Sequence, residues 1–214
     1  MPLVYQKNIN NTTKIGVWHI VEPEEFFSKQ IPLQREITHP HKRLQHLAGR
    51  FLLKELFPDF PYELIRIAST KKPFLENDVY HFSISHCGDY AAVIVSSNYR
   101  VGVDIELPNE KLEKVKHKFL SAEEEETIIS RNQLDDPKST IELLTIAWSI
   151  KESMFKWRSA PGIDFKEHMQ IDAFSLMNDK GVAHCRFLKD MDKALIVHSL
   201  FLNKNCITWV MTEH

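Results

Sequence analysis

The hexapeptide "VGVDIE", Val101 to Glu106, is a short apolar run carrying two carboxylates one residue apart. Its β-branched residues read as a strand, and side chains on a strand alternate between faces. Val101, Val103 and Ile105 therefore share one face, and Gly102, Asp104 and Glu106 share the other. Two like charges side by side repel and raise one pKa unless a cation lies between them, and a hard divalent cation takes oxygen ligands of this kind. The alternative is a half-buried sheet whose polar face is solvated. The hexapeptide alone leaves both readings open.

Upstream, "KIGVWHIV" (Lys14 to Val21) predicts a strand. From Pro40 to Phe57, Leu44, Leu47, Ala48, Phe51, Leu52 and Leu56 recur at helical spacing. "YELIRIAS", "VYHFSIS", "YAAVIVS" and "RVGVDIE" follow as short strands, and the last three, separated by "HCGD" and "SNY" turns, predict an antiparallel meander. Downstream, "SAEE" at Ser121 makes a capping box with Glu124, and a longer helix is expected from about Lys138 to Arg158, ended by "SAPG". "IDAFSLM", "VAHCRFL", "ALIVHSLF" and "CITWVMT" then alternate with the hairpin punctuation "NDKG", "KDMDK" and "LNKN". Each half runs from helix to antiparallel strands. The expected fold class is α+β, with residues 1–100 as an N-terminal half and 101–214 as a C-terminal half.

The helix containing "AWSIKESMFKW" gives the acid pair company. Glu152 and Lys156 are four residues apart on one face and Lys151 lies on a neighbouring face. An exposed ion pair of little energetic value is the competing account, with Trp148, Met154, Phe155 and Trp157 providing the packing. Arg43, His46, Arg50 and Lys54 form a basic stripe on the earlier helix, suited either to phosphates or to water. In "SISHCG", adjacent Ser85 and His86 point apart on an extended chain and cannot pair as nucleophile and base. A hydrolase triad is excluded. At a turn they can donate to a phosphate instead, as can Lys72 of "KKP", or merely cap the strand.

With 27 Lys+Arg, 29 Asp+Glu and a formal charge of −2, nothing global favours nucleic acid or an anionic membrane. Cys87, Cys185 and Cys206 are too few and too irregular for a disulfide framework or a zinc site, which fits a cytoplasmic protein. The start "MPLVYQKNINN" has no signal-peptide core, and no transmembrane-length apolar run occurs.

"KKP", "ISHCG", "VGVDIE" and, about forty residues on, "WSIKES" followed by Lys156 together resemble the 4′-phosphopantetheinyl transferase superfamily, in its larger, Sfp-like class of two fused similar halves. The ordered set spans roughly Arg43 to Lys156. The resemblance implies two pseudo-symmetric halves, coenzyme A and Mg²⁺ in the cleft between them, and a monomer. It implies that a serine hydroxyl of an apo acyl carrier protein or peptidyl carrier protein takes the 4′-phosphopantetheine arm, releasing adenosine 3′,5′-bisphosphate.

Carried over by position, Asp104, Glu106 and Glu152 match the metal-binding acids, and Glu152 could also deprotonate the serine. Asp104, Glu152 and Lys156 are the expected catalytic groups. Lys151 and Lys156 match the motif lysines, with Lys156 assigned to the pyrophosphate. Ser85, His86 and Lys72 match coenzyme A phosphate contacts, and Arg43 and Arg50 fall where the adenosine 3′-phosphate is expected. Lys71 replaces a usual glycine and Cys87 a frequent serine, and neither removes a group the chemistry needs. Lys111, Lys114, Lys116 and Lys118 of "KLEKVKHKF" could steer an acidic carrier, or line a solvated helix. Rival readings are a metal-dependent nuclease and a non-catalytic binding module. Neutral charge and the Lys-Glu order of "WSIKES" argue against the first, and the intact acid and lysine set against the second.

Overall fold

The computed structural model describes residues 2–31, 33, 36–130 and 139–213. The chain divides into two compact units, residues 1–101 with 213–214, and residues 102–212. Both combine helices with antiparallel sheet, so the fold is α+β.

In the first unit, β1 (Leu3–Asn10) and β2 (Thr13–His19) form a hairpin. A short helix, α1 (Glu24–Ser28), precedes α2 (Pro40–Leu56), which starts on Pro40 with His39 as its cap. The two-residue strands β3 (Arg66–Ile67) and β4 (Pro73–Phe74) pair only with each other, and β5 (His81–Cys87) and β6 (Tyr90–Ser96) complete a sheet ordered β1-β2-β6-β5. The core is aromatic-rich: Trp18, Phe27, Phe51, Phe60 and Phe82 are buried together with Leu47, Leu52 and Leu53 of α2.

The expected strand "YELIRIAS" is corrected. Tyr62–Leu64 is a single 3₁₀ turn, and only Arg66–Ile67 is extended, because the run leaves Glu63, Leu64, Arg66 and Ile67 exposed and its partner contains a proline without an amide donor. The three-strand meander is corrected as well. β5 pairs with β6, but the other edge of β6 is taken by β2. The third strand, β7 (Tyr99–Glu106), belongs to the second sheet. At the "SNY" turn, Ser96 Oγ accepts hydrogen bonds from the amides of Asn98 (3.2 Å) and Tyr99 (3.0 Å) and from Thr13 Oγ1 (2.8 Å). This side-chain turn ends the pairing that a backbone hairpin would have continued.

The second unit begins within β7. After α3 (Lys111–Val115) and a 3₁₀ turn, α4 (Ala122–Glu125) opens with the expected Ser121/Glu124 capping box. The long helix α5 (Thr140–Arg158) starts from a second capping box, Ser139 with Glu142, and ends at Ser159 in the left-handed conformation. Lys138, its expected start, lies outside the described residues. The strands β8 (Met169–Met177), β9 (Lys180–Phe187), β10 (Lys193–Leu202) and β11 (Asn205–Glu213) form the predicted meander. Two of its turns are two-residue loops with both φ values positive, Asn178–Asp179 (49° and 65°) and Asn203–Lys204 (50° and 67°). That is the hairpin geometry whose twist matches the flanking strands. The sheet order is β7-β11-β10-β9-β8, with Leu143, Leu144, Ile146, Ala147, Ile150 and Met154 of α5 in its core.

Candidate active site

On β7, Val101, Val103 and Ile105 are buried as the alternation requires. The opposite face is not solvated, because Asp104 is only 1% exposed. Helix α5 covers it. A Cβ on Gly102 would stand 2.1 Å from the Ser153 carbonyl oxygen and 2.7 Å from the Trp157 amide nitrogen, so only glycine admits the helix backbone this close. The approach sets side chains of α5 directly against Asp104.

Two of these hold its carboxylate. Lys156 Nζ donates to Oδ1 at 2.6 Å, and Ser149 Oγ donates to Oδ2 at 2.8 Å. Ser149, Glu152 and Lys156 lie at successive turns of one helix face. Burial lifts the Glu152 carboxyl from its ordinary 4.5 to about 7; Lys156 opposes this, while Asp104 and Glu106 push it further up. The structure thus brings together Asp104, Glu152 and Lys156, with Glu106 within electrostatic reach. Beyond its electrostatic contact with Glu152 on the same helix, Lys156 makes a partly buried ion pair to β7.

Lys151 requires a correction. It is fully buried, with Nζ donating to both Glu124 oxygens (2.7 and 2.9 Å) and to the Phe165 carbonyl (3.0 Å), and burial pulls its pKa below the ordinary value. An ammonium spent inside the unit does not reach a coenzyme A phosphate. Glu124, besides its capping box, accepts the Ile171 amide at 2.9 Å and so ties α4, α5 and β8 together. The basic "KLEKVKHKF" segment is also less free than its sequence suggests. Lys116 is held by Glu125 (2.6 Å) and Glu113 (3.0 Å), whereas Lys111, Lys114 and Lys118 are exposed.

The remaining expected contacts lie in the first unit. Ser85 is buried and His86 exposed on neighbouring positions of β5. Burial, aided by the Arg100 guanidinium, lowers Lys72 to about 8. Arg43 binds Glu24 at 2.8 Å and the Ile37 carbonyl at 2.9 Å. The basic stripe is not an open one: Arg50 is 6% exposed and contacts His46 Nδ1 at 3.1 Å, and Lys54 lies over the Tyr62 ring.

Among the described residues, no three His, Cys, Asp or Glu side chains are drawn together in a metal-holding arrangement. Nor is any helix long and apolar enough to cross a membrane. Asp104, Glu106 and Glu152 nevertheless fit a hard divalent cation by donor type, since all three are carboxylates and the repulsion that Asp104 and Glu106 add to the burial of Glu152 is one such an ion would relieve. Sequence reasoning did not single out Ser149 or its neighbour Thr208. The signal for Ser149 was its position three residues before Glu152 and seven before Lys156.

Comparison with known proteins gives a match to the family model of the 4′-phosphopantetheinyl transferase superfamily over residues 100–210. The L-aminoadipate-semialdehyde dehydrogenase-phosphopantetheinyl transferase of Rattus norvegicus is 31% identical over 156 residues, covering 63% of this chain and 48% of that protein. The Homo sapiens protein of the same name is 30% identical, with the same coverage. The 4′-phosphopantetheinyl transferase gsp of Aneurinibacillus migulanus is 36% identical over 112 residues, covering 51% of this chain and 44% of that protein. The chain spans about half the length of these curated relatives.

Proposed function

This chain belongs to the 4′-phosphopantetheinyl transferase superfamily, and from that premise we propose that it transfers the 4′-phosphopantetheine arm of coenzyme A to a serine hydroxyl of an apo acyl or peptidyl carrier protein, releasing adenosine 3′,5′-bisphosphate. The observation that carries the reading is the buried Asp104 held at 2.6 Å by Lys156, with Glu152 raised to about 7 beside it. Acids and a cation so placed suit the handling of an anionic pyrophosphate and of a proton.

In the proposed reaction the carrier serine oxygen bonds to the phosphorus that bears the pantetheine arm, the bond from that phosphorus to the bridging oxygen breaks, and the bridging oxygen leaves with adenosine 3′,5′-bisphosphate. Glu152 takes the serine proton, directly or through water. Lys156 offsets charge on the pyrophosphate oxygens. Asp104, Glu106 and Glu152 are the residues that would hold Mg²⁺. When bound, the ion supplies Lewis-acid stabilisation of the anionic oxygens. Lys72, Ser85, His86, Arg43 and Arg50 are proposed to contact the coenzyme A phosphates, and the resemblance of the motifs supports that assignment. A cytoplasmic monomer is part of the same reading, and Cys87, Cys185 and Cys206, none of them in a disulfide among the described residues, are compatible with a reducing compartment.

Incubation with coenzyme A, Mg²⁺ and a broad panel of apo carrier proteins, followed by intact mass measurement, tests the proposal. A carrier that gains one phosphopantetheinyl group supports it. A panel left wholly unmodified, while coenzyme A is hydrolysed, would favour a phosphodiesterase instead.

A further inference from the structure

Serines and threonines inside helices commonly bond back to a carbonyl of their own helix. Of the three buried hydroxyl residues of α5, two do so: Thr145 Oγ1 donates to the Ile141 carbonyl at 2.7 Å and Ser153 Oγ to the Ile150 carbonyl at 2.7 Å. Ser149 differs, because its hydroxyl leaves the helix and donates to Asp104 Oδ2 at 2.8 Å. The carbonyl of Ser149 separately accepts from Thr208 of β11, whose Oγ1 donates to it at 2.7 Å and also lies 3.0 Å from Ser149 Oγ. Ser149 and Thr208 are fully buried and Asp104 is 1% exposed, so water does not substitute for any of these bonds.

A carboxylate turns easily about its last bond, with a broad and roughly two-fold preference. Asp104 has one oxygen bound by Ser149 and the other by Lys156, which fixes which oxygen meets a cation. We propose that Ser149 is a positioning residue for Asp104, holding Oδ2 so that Oδ1 is the oxygen presented to the cationic partners of the site. The inference rests on the reading of Asp104 as part of the transferase machinery, and assigns the first serine of "WSIKES" a task that its sequence does not reveal.

The experiment compares wild type, Ser149→Ala and Thr208→Val by Mn²⁺ titration read by electron paramagnetic resonance, with Mn²⁺ standing in for Mg²⁺, and by transfer to an apo carrier. Thermal unfolding shows that each variant is folded. Ser149→Ala should weaken Mn²⁺ binding by roughly tenfold or more, as loss of an outer partner of a metal-binding carboxylate does, and should lower kcat more than it raises the KM for coenzyme A. Thr208→Val keeps the Ser149 hydroxyl and should change Mn²⁺ binding by less than about threefold, below the range for losing such a partner. Wild-type Mn²⁺ binding by Ser149→Ala overturns the inference, as does equal weakening by both variants or a wild type that binds no Mn²⁺. A wild type that modifies no carrier, yet loses Mn²⁺ on Ser149→Ala alone, refutes the transferase reading and leaves the role of Ser149 standing.

Discussion

Lys156 Nζ stands 2.6 Å from Asp104 Oδ1 and so bolts helix α5 to strand β7 across fifty-two residues of sequence. The carboxylate is nearly inaccessible while the lysine side chain keeps 25% exposure, so the pair is held more firmly at one end than at the other. Removing the lysine alone strands a buried negative charge, whereas removing both groups does not.

Lys156→Met should therefore destabilise the protein more than Asp104→Asn with Lys156→Met together. A double-mutant cycle from denaturant unfolding should give a coupling of roughly 1–3 kcal/mol. Transfer by Lys156→Met should fall by about a hundredfold, the cost of losing one preorganised charge-stabilising donor. Additive stabilities would refute the coupling.

Glu152 predicts a pH dependence with a definite sign. Its folded-state carboxyl sits at about 7 and its ordinary value is 4.5, so between these the folded protein holds a proton the unfolded chain has released. Stability contributed by the protonated carboxyl is present below 4.5 and is lost as pH rises through about 7. Unfolding measured across this window should show stability declining with pH through this residue, and Glu152→Gln should remove that component of the slope. An unchanged slope would count against the raised carboxyl.

Gly102→Ala should abolish the site without touching a charged group. The added methyl meets the Ser153 carbonyl at 2.1 Å and the Trp157 amide nitrogen at 2.7 Å, both backbone atoms that cannot swing aside. The expected loss is about 3 kcal/mol, at the upper end of overpacking costs, together with loss of transfer. Calorimetry showing a near-wild-type transition would mean that strand and helix separate more easily than this contact implies.

Lys151 and Glu124 separate scaffold from binding. Glu124→Gln leaves a buried ammonium without its countercharge and should destabilise the fold by about 3 kcal/mol, while Lys151→Met with Glu124→Gln should cost less than the single change. In Glu124→Gln, Lys151 remains pulled below its ordinary pKa by burial, so the deficit should shrink as pH is raised towards the ordinary lysine value of 10.5. Folded Lys151→Met should bind coenzyme A, measured calorimetrically, within about threefold of wild type, well short of losing a charged hydrogen bond. A large loss of affinity would restore Lys151 as a ligand contact.

What the sequence disclosed was local. The alternation of "VGVDIE", the spacing of Leu47, Phe51 and Leu52, the Ser121/Glu124 box and the "NDKG" and "LNKN" turns each act within a few residues, and each is found where its chemistry puts it. The strand β1 went unread because its residues are half-buried or exposed, with no apolar alternation to mark them. The sheet to which β7 belongs was missed because its neighbour β11 lies about a hundred residues later. The burial of Arg50 and Lys151 was missed for the same reason, since a basic residue on a helix reads as exposed until its surroundings are known. Asp104, Glu152 and Lys156 were legible as a set through their motifs, but the hydroxyl that fixes Asp104 was not, as nothing in a single serine announces which way it points.

The placement of β11 between β7 and β10 also dictates an order of assembly. The hairpins of β8 to β11 close through short turns and can form soon after they leave the ribosome, but β7 must wait, unpaired on that edge, for a strand that begins at Asn205. Long-range pairing of this sort is slow. Strand β7 thus gains its only sheet neighbour among the described strands late, whereas the α5 side chains that hold Asp104 are made well before it.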